Sequence, residues 1–195
     1  MKNDRNVLFL IPGFGQKTTD KYFAWLVKFL QTKGFRVIGV PIKWKGRTMS
    51  DYISDFNKFY NDKKSINNYL FGFSYGAVIA FATASELKPK KIYLSSLSPD
   101  FKEDVLKMKT WVRKLVGKRR LLDLKKRSGK EIARKLSIPS VIFYGEKEAK
   151  KYPQLKIRCE ETVKLAKNAK LVVVKEAPHD INNEQYMLAI KNEFD

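Results

Sequence analysis

YLFGFSYGAVIAFATASEL, residues 69–87, changes character at a single residue, Ser74. Up to Phe73 the run is aromatic and aliphatic, the composition of a buried strand. From Tyr75 onward small residues dominate, the composition of a helix packed closely on a sheet. Residues 65–85 carry no charge and approach the roughly 20 residues that cross a bilayer. Gly72, Ser74 and Gly76 interrupt that stretch, and its two halves follow different periods. It therefore reads as strand, tight turn and helix rather than as a membrane span.

The same alternation recurs on both sides. Residues 7–11 form a continuous apolar run closed by Pro12 and Gly13; Thr19 and Asp20 then offer a cap to a helix with Tyr22, Phe23, Leu26, Val27 and Leu30 on one face, ended by Gly34. A second strand is expected over residues 35–40. A helix capped by Ser50 follows, with Tyr52, Ile53, Phe56, Phe59 and Tyr60 at helical spacing. Beyond the helix of residues 75–87, stopped by Pro89, strands are expected over residues 91–95, 140–144 and 171–175. Helical segments near residues 101–136 and 155–167 separate them, and a last helix lies near residues 181–194. Six strands alternating with amphipathic helices predict an α/β fold in three layers, a mostly parallel six-stranded sheet with helices on both faces. With no repeat, linker or break in composition, residues 1–195 read as a single domain.

Hydrophobic residues make up 44% of the chain and aromatic residues 13%, enough to build a core, which excludes general disorder. Lys and Arg number 40 against 20 Asp and Glu, a net charge of +20 that favours polyanions as well as solubility. Half of the excess lies in residues 102–135, which hold 14 basic and 4 acidic residues. Within this basic helical insert, a possible small lid over residues 101–136, Phe101, Val105, Met108, Val112 and Leu115 recur at spacings of four and three. Trp111 and Val116 lie beside them. That is one helical stripe, expected to pack against the body until Gly117 ends or bends it. Ser128 and Glu131 match a capping box that opens a short helix through Ile132, Ala133 and Leu136. The one cysteine, Cys159, shares a helix face with Leu155, Thr162, Val163 and Ala166 and is expected to be buried. It can form no internal disulfide, and residues 1–15 lack a secretory pattern, so the expected compartment is cytoplasmic.

Gly72-Phe73-Ser74-Tyr75-Gly76 matches G-x-S-x-G, the turn that lifts a serine hydroxyl above a sheet. By composition such a pentapeptide arises by chance in about one such chain in 30, so its strand-to-helix setting carries more weight than the match. A serine hydroxyl becomes a nucleophile when a base takes its proton. The chain has one histidine, His179, just past the last expected strand and therefore at the same carboxyl edge as Ser74. A carboxylate should orient it. Glu148, Asp100 and Glu146 all follow strands in the right order, with Glu148 the preferred one. The developing oxyanion needs two donors, for which the backbone amides of Phe14, in the Pro12–Gly15 loop, and Tyr75 are placed. Phe14, Trp44, Tyr75 and Trp111 can each line an acyl pocket or simply pack. With one His, one Cys and no H-E-x-x-H, Asp-rich or Gly-rich phosphate pattern, no metal site and no cofactor are expected.

These motifs, PGFG, GFSYG, YGEKE and PHD in that order, resemble those of the α/β-hydrolases over essentially the whole chain. The resemblance implies Ser74 as nucleophile, His179 as base, Glu148 as acid, and Phe14 and Tyr75 as oxyanion-hole donors. It also implies a minimal core with little or no cap domain. Glu148 stands where Asp is commoner in the family, and Pro12 where His is frequent. The expected function is hydrolysis of a small-molecule carboxylic ester or thioester through an acyl-enzyme on Ser74. Two rivals remain at this level. One is a non-catalytic binding module on the same fold. The other is a basic protein that contacts an anionic membrane or nucleic acid through residues 102–135.

Overall fold

The computed structural model describes residues 6–194; residues 1–5, part of the leader reading above, and Asp195 lie outside it. Its centre is a six-stranded sheet: β1 (Asn6–Ile11), β2 (Arg36–Gly39), β3 (Asn67–Phe73), β4 (Lys91–Ser95), β5 (Ser140–Gly145) and β6 (Ala169–Val174). The spatial order is β2-β1-β3-β4-β5-β6, and every pairing among the described residues is parallel. The strand order reverses between β1 and β3, so the connections leaving their carboxyl ends diverge and open a crevice there.

Alternation along each strand explains the continuous apolar runs. In β1, Val7, Phe9 and Ile11 point into one core with Leu70, Ile92 and Ile142, while Leu8 and Leu10 point into the other with Phe71, Tyr93 and Phe143. The first core is closed by α2 (Met49–Lys63), α3 (Tyr75–Leu87), α7 (Gly129–Lys135) and α9 (Pro153–Leu165). The second is closed by α1 (Lys21–Thr32), through Phe23, Leu26 and Leu30, and by α10 (Glu184–Lys191), through Tyr186 and Ile190. A strand covered on both faces has no polar side to present, hence the missing alternation in sequence.

Several boundaries differ from the sequence expectation for local reasons. Thr48, not Ser50, caps α2: its hydroxyl accepts the Asp51 amide, and the Asp51 carboxylate accepts the Thr48 amide at 2.8 Å. Ser50 is engaged elsewhere, donating from its amide and hydroxyl to Asp123. Asp20 makes no cap for α1, because its carboxylate takes the Lys17 amide at 2.8 Å. Ser128 accepts the Glu131 amide at 3.2 Å, but its hydroxyl donates to Glu103, so the capping box is half formed. Residues 146–151, between the strand expected at 140–144 and the helix expected near 155–167, are the helix α8 (Glu146–Lys151). The strand expected at residues 171–175 is β6, which begins at Ala169 and ends at Val174.

The insert departs most. Its single stripe is divided between α4 (Lys102–Val105) and α5 (Thr110–Val116); α6 (Lys118–Leu124) follows, and α7 is the short helix expected after Ser128. Arg113 donates to the carbonyls of Met108 (2.9 Å) and Leu106 (3.3 Å), closing a turn ahead of α5, and Gly117, at φ 82°, ends that helix. Phe101 and Val105 consequently enter the core, whereas Trp111 and Leu115 are exposed. Cys159 is fully buried, as its helix face implied. Among the described residues no helix is long and apolar enough to cross a membrane. The candidate span of residues 65–85 divides between β3 and α3.

Candidate active site

Ser74 sits between β3 and α3 with φ 54° and ψ −116°, a conformation that costs an L-residue about 1–3 kcal/mol. Sheet and helix hold it there: its amide donates to the Ser95 carbonyl at 2.8 Å, and its carbonyl accepts the Ala77 amide at 3.0 Å. The flanking glycines permit the close approach. A Cβ on Gly76 would lie 2.2 Å from the Ile11 carbonyl oxygen, and one on Gly72 would lie 2.5 Å from the Gly76 carbonyl oxygen. The strain is thus imposed by packing between β1, β3 and α3, and it leaves the Ser74 side chain above the carboxyl ends of the strands.

His179 follows β6 at the same edge. Its Nδ1 meets the Glu148 carboxylate, and its ring lies against Phe73, centroids 5.0 Å apart. Glu148, on the first turn of α8, is fully buried and well satisfied. Besides His179 it accepts the Ser96 hydroxyl at 2.9 Å and the Gly145 amide at 3.1 Å. Since Ser96 spends its one hydroxyl proton on Glu148, its other close partner, Tyr186 Oη at 2.9 Å, must donate to it. Tyr186 is buried, which, with Glu148 nearby, holds its phenol well above the ordinary range and keeps it a donor. A carboxylate at Nδ1 puts the imidazole proton there and leaves Nε2 with its lone pair.

The other two candidate acids do not reach His179. Glu146 accepts the Glu176 amide at 3.2 Å. Asp100 lies two residues past Ser98 in the loop after β4; burial, then repulsion from Asp104, pushes its carboxyl up to about 7. The Ser74 hydroxyl is paired with Ser98 Oγ at 3.4 Å rather than with His179. Ser74 and His179 nevertheless line one cleft of about 460 Å³, together with Gly13, Phe14, Gln16, Tyr22, Phe73 and Asp180. Ser96, Ser98 and Tyr186 were not singled out from sequence: the run Ser95-Ser96-Leu97-Ser98 has no recognisable spacing, and Tyr186 looks like one more apolar position of α10.

Neither the Phe14 nor the Tyr75 amide finds an acceptor among the described residues. The loop bearing Phe14 is braced: Gln16 Oε1 accepts the Gly13 amide at 3.0 Å, and Trp44 Nε1 donates to the Gln16 carbonyl at 2.9 Å. Phe14, Trp44 and Tyr75 pack edge to face or tilted, with centroids 5.3–6.0 Å apart, and Tyr52 joins them. Trp111 belongs to neither this wall nor the cleft. Among the described residues no group of three or more His, Cys, Asp or Glu is placed to hold a metal ion.

No protein-family model and no curated protein matches the chain by sequence. Solved structures do match. Est1E from Butyrivibrio proteoclasticus superposes with a TM-score of 0.77 at 16% identity, over 97% of this chain and 86% of that one; the same protein is known with ferulic acid bound. An esterase from Exiguobacterium antarcticum matches with a TM-score of 0.72 at 16% identity, over 97% and 91% of the two chains. A lipase-esterase related protein from Clostridium acetobutylicum matches with a TM-score of 0.68 at 18% identity, over 99% and 95%.

Proposed function

We propose that this chain, which has the α/β-hydrolase fold, is a serine hydrolase acting on a small carboxylic ester or thioester. The observation that carries the reading is the buried Glu148 meeting Nδ1 of the histidine whose cleft contains Ser74. Ser74 Oγ exchanges Ser98 for Nε2 of His179, gives up its proton there and attacks the acyl carbon. The amides of Phe14 and Tyr75 receive the oxyanion, each worth roughly 3–4 kcal/mol of transition-state stabilisation. His179 then hands the proton to the departing alcohol or thiol, leaving an acyl-Ser74. In the second half it deprotonates water, which releases the acid and restores Ser74. Glu148 keeps the imidazole in the useful tautomer and stabilises it while charged. Ferulic acid binds Est1E, and the Phe14–Trp44–Tyr75 wall offers an aryl or acyl group an apolar surface here.

The experiment is intact-mass analysis after exposure to a fluorophosphonate. Wild type is expected to gain one adduct, and Ser74→Ala and His179→Ala none. Hydrolysis of a short soluble ester should fall by at least about 1,000-fold in either variant. A folded wild type that takes no adduct would leave a binding module as the better reading.

A further inference from the structure

The insert is sorted by charge. Its acids Asp104 and Asp123 are turned toward the body: Asp104 pairs with buried Arg158 at 2.7 Å, and Asp123 with Arg127 at 3.4 Å and with Ser50. Glu103 is taken by Ser128, Gly129 and Arg158. Between the two aspartates, residues 105–122 contain seven Lys or Arg and no acid. The same short segment carries Leu106 at 74% exposure, Trp111 at 62%, Leu115 at 75% and Leu122 at 54%. Trp111 and Leu115, four apart on α5, share one helix face with Lys114 beside them. Leu106 precedes that helix and Leu122 follows on α6, which packs on it.

A single exposed leucine is ordinary on a soluble protein. Here a seven-residue helix buries none of its residues, and its tryptophan is 62% exposed. Isolated helices this short are marginal in water and draw stability from a packed face. We propose that this face, Leu106, Trp111, Leu115 and Leu122 set among the cations of residues 107–119, seats on an anionic lipid surface. Charge complementarity selects the occupant. Anionic headgroups attract clustered Lys and Arg, Trp settles at the headgroup level, and leucines gain by entering the acyl boundary. Nucleic acid would answer the cations but leave the leucines in water. The element that carries Leu122 also reaches the cleft: Arg120 of α6 stacks over Phe14, 5.5 Å from the ring centroid, and Phe14 lines the cleft. This inference does not rest on the hydrolytic reading.

The test is co-sedimentation with vesicles of phosphatidylcholine alone or mixed with phosphatidylglycerol. It compares wild type with Trp111→Ser/Leu115→Ser and Lys107→Gln/Lys109→Gln/Lys114→Gln, each checked for fold by circular dichroism. Wild type is expected on the mixed vesicles and not on phosphatidylcholine. Either variant should weaken that binding by at least about tenfold, and salt should weaken it without abolishing it. Fluorophosphonate labelling and soluble-ester turnover should be the same in all three proteins, which separates failure of docking from failure of catalysis. Absence of wild type from the mixed vesicles would overturn the proposal. So would vesicle binding that survives loss of Trp111 and Leu115. Binding of duplex DNA that ignores the apolar variant, with no vesicle binding, would put nucleic acid in place of lipid.

Discussion

Ser96 is the residue on which the geometry of the site turns. It adopts φ 56°, so like Ser74 it is held in a conformation an L-residue avoids, with its amide bonded to the Phe143 carbonyl at 2.8 Å. The gain is a hydroxyl directed at Glu148 and backed by Tyr186. Neither residue lines the cleft, so both act by positioning the carboxylate that meets His179. A hydrogen bond to a charged group contributes about 1.5–3 kcal/mol. Ser96→Ala is therefore expected to lower kcat about tenfold or more, and Tyr186→Phe somewhat less, with KM unchanged in both. A raised KM with intact kcat, from steady-state rates on a soluble ester, would contradict a positioning role.

Among the elements, one buried cation ties the start of the insert to the body. Arg158 of α9 is 2% exposed; it pairs with Asp104 at 2.7 Å and Glu161 at 2.9 Å, and its guanidinium lies 5.1 Å from the Phe101 ring centroid. Gly129 makes room, since a Cβ there would lie 2.7 Å from Arg158 Nη1. Removing one partner of a buried pair strands the other charge, at a cost of about 3–5 kcal/mol. Arg158→Ala should lower the denaturant midpoint accordingly, and hydrogen exchange should accelerate first across residues 101–135. The double change Arg158→Met/Asp104→Leu should recover most of that loss. On the other flank, Arg120 donates to the carbonyls of Arg47 (2.9 Å) and Trp44 (3.1 Å). The insert is thus fastened at both ends, and α5 is the part left outside.

For the whole molecule the notable titrating group is Asp100. Burial raises its carboxyl from 3.8 to about 7. Between those values the folded protein keeps a proton that the unfolded chain has released, so stability falls as pH rises through the window. Above it the folded state carries a poorly hydrated carboxylate. Asp100→Asn has no proton to lose and should raise stability near pH 8 by about 1–2 kcal/mol, part of the full linkage value because solvent reaches the group. Near pH 4 the gain should vanish. Chemical denaturation of both proteins at the two pH values checks the sign; an equal gain at both would remove Asp100 from the account.

Composition and period were sufficient to specify the architecture. Uninterrupted apolar runs such as Val7 to Ile11 indicate strands buried on both faces, and their alternation with amphipathic helices admits little besides a parallel sheet covered on both sides. Chain order alone also brought Ser74, Glu148 and His179 to one sheet edge, because every parallel strand delivers its following loop there. What the sequence left open was contact. Three acids stood in permissible loops, and only the fold shows which one meets His179, because that depends on α8 starting directly at Glu146 and carrying Glu148 inward. The Ser96–Tyr186 support is set by backbone strain and by residues 90 apart in the chain, neither of which has a local period. The apolar stripe of the insert obeyed helical spacing yet was divided by the turn ahead of α5. Periodicity records which residues can share a face, and tertiary packing decides whether that face looks inward.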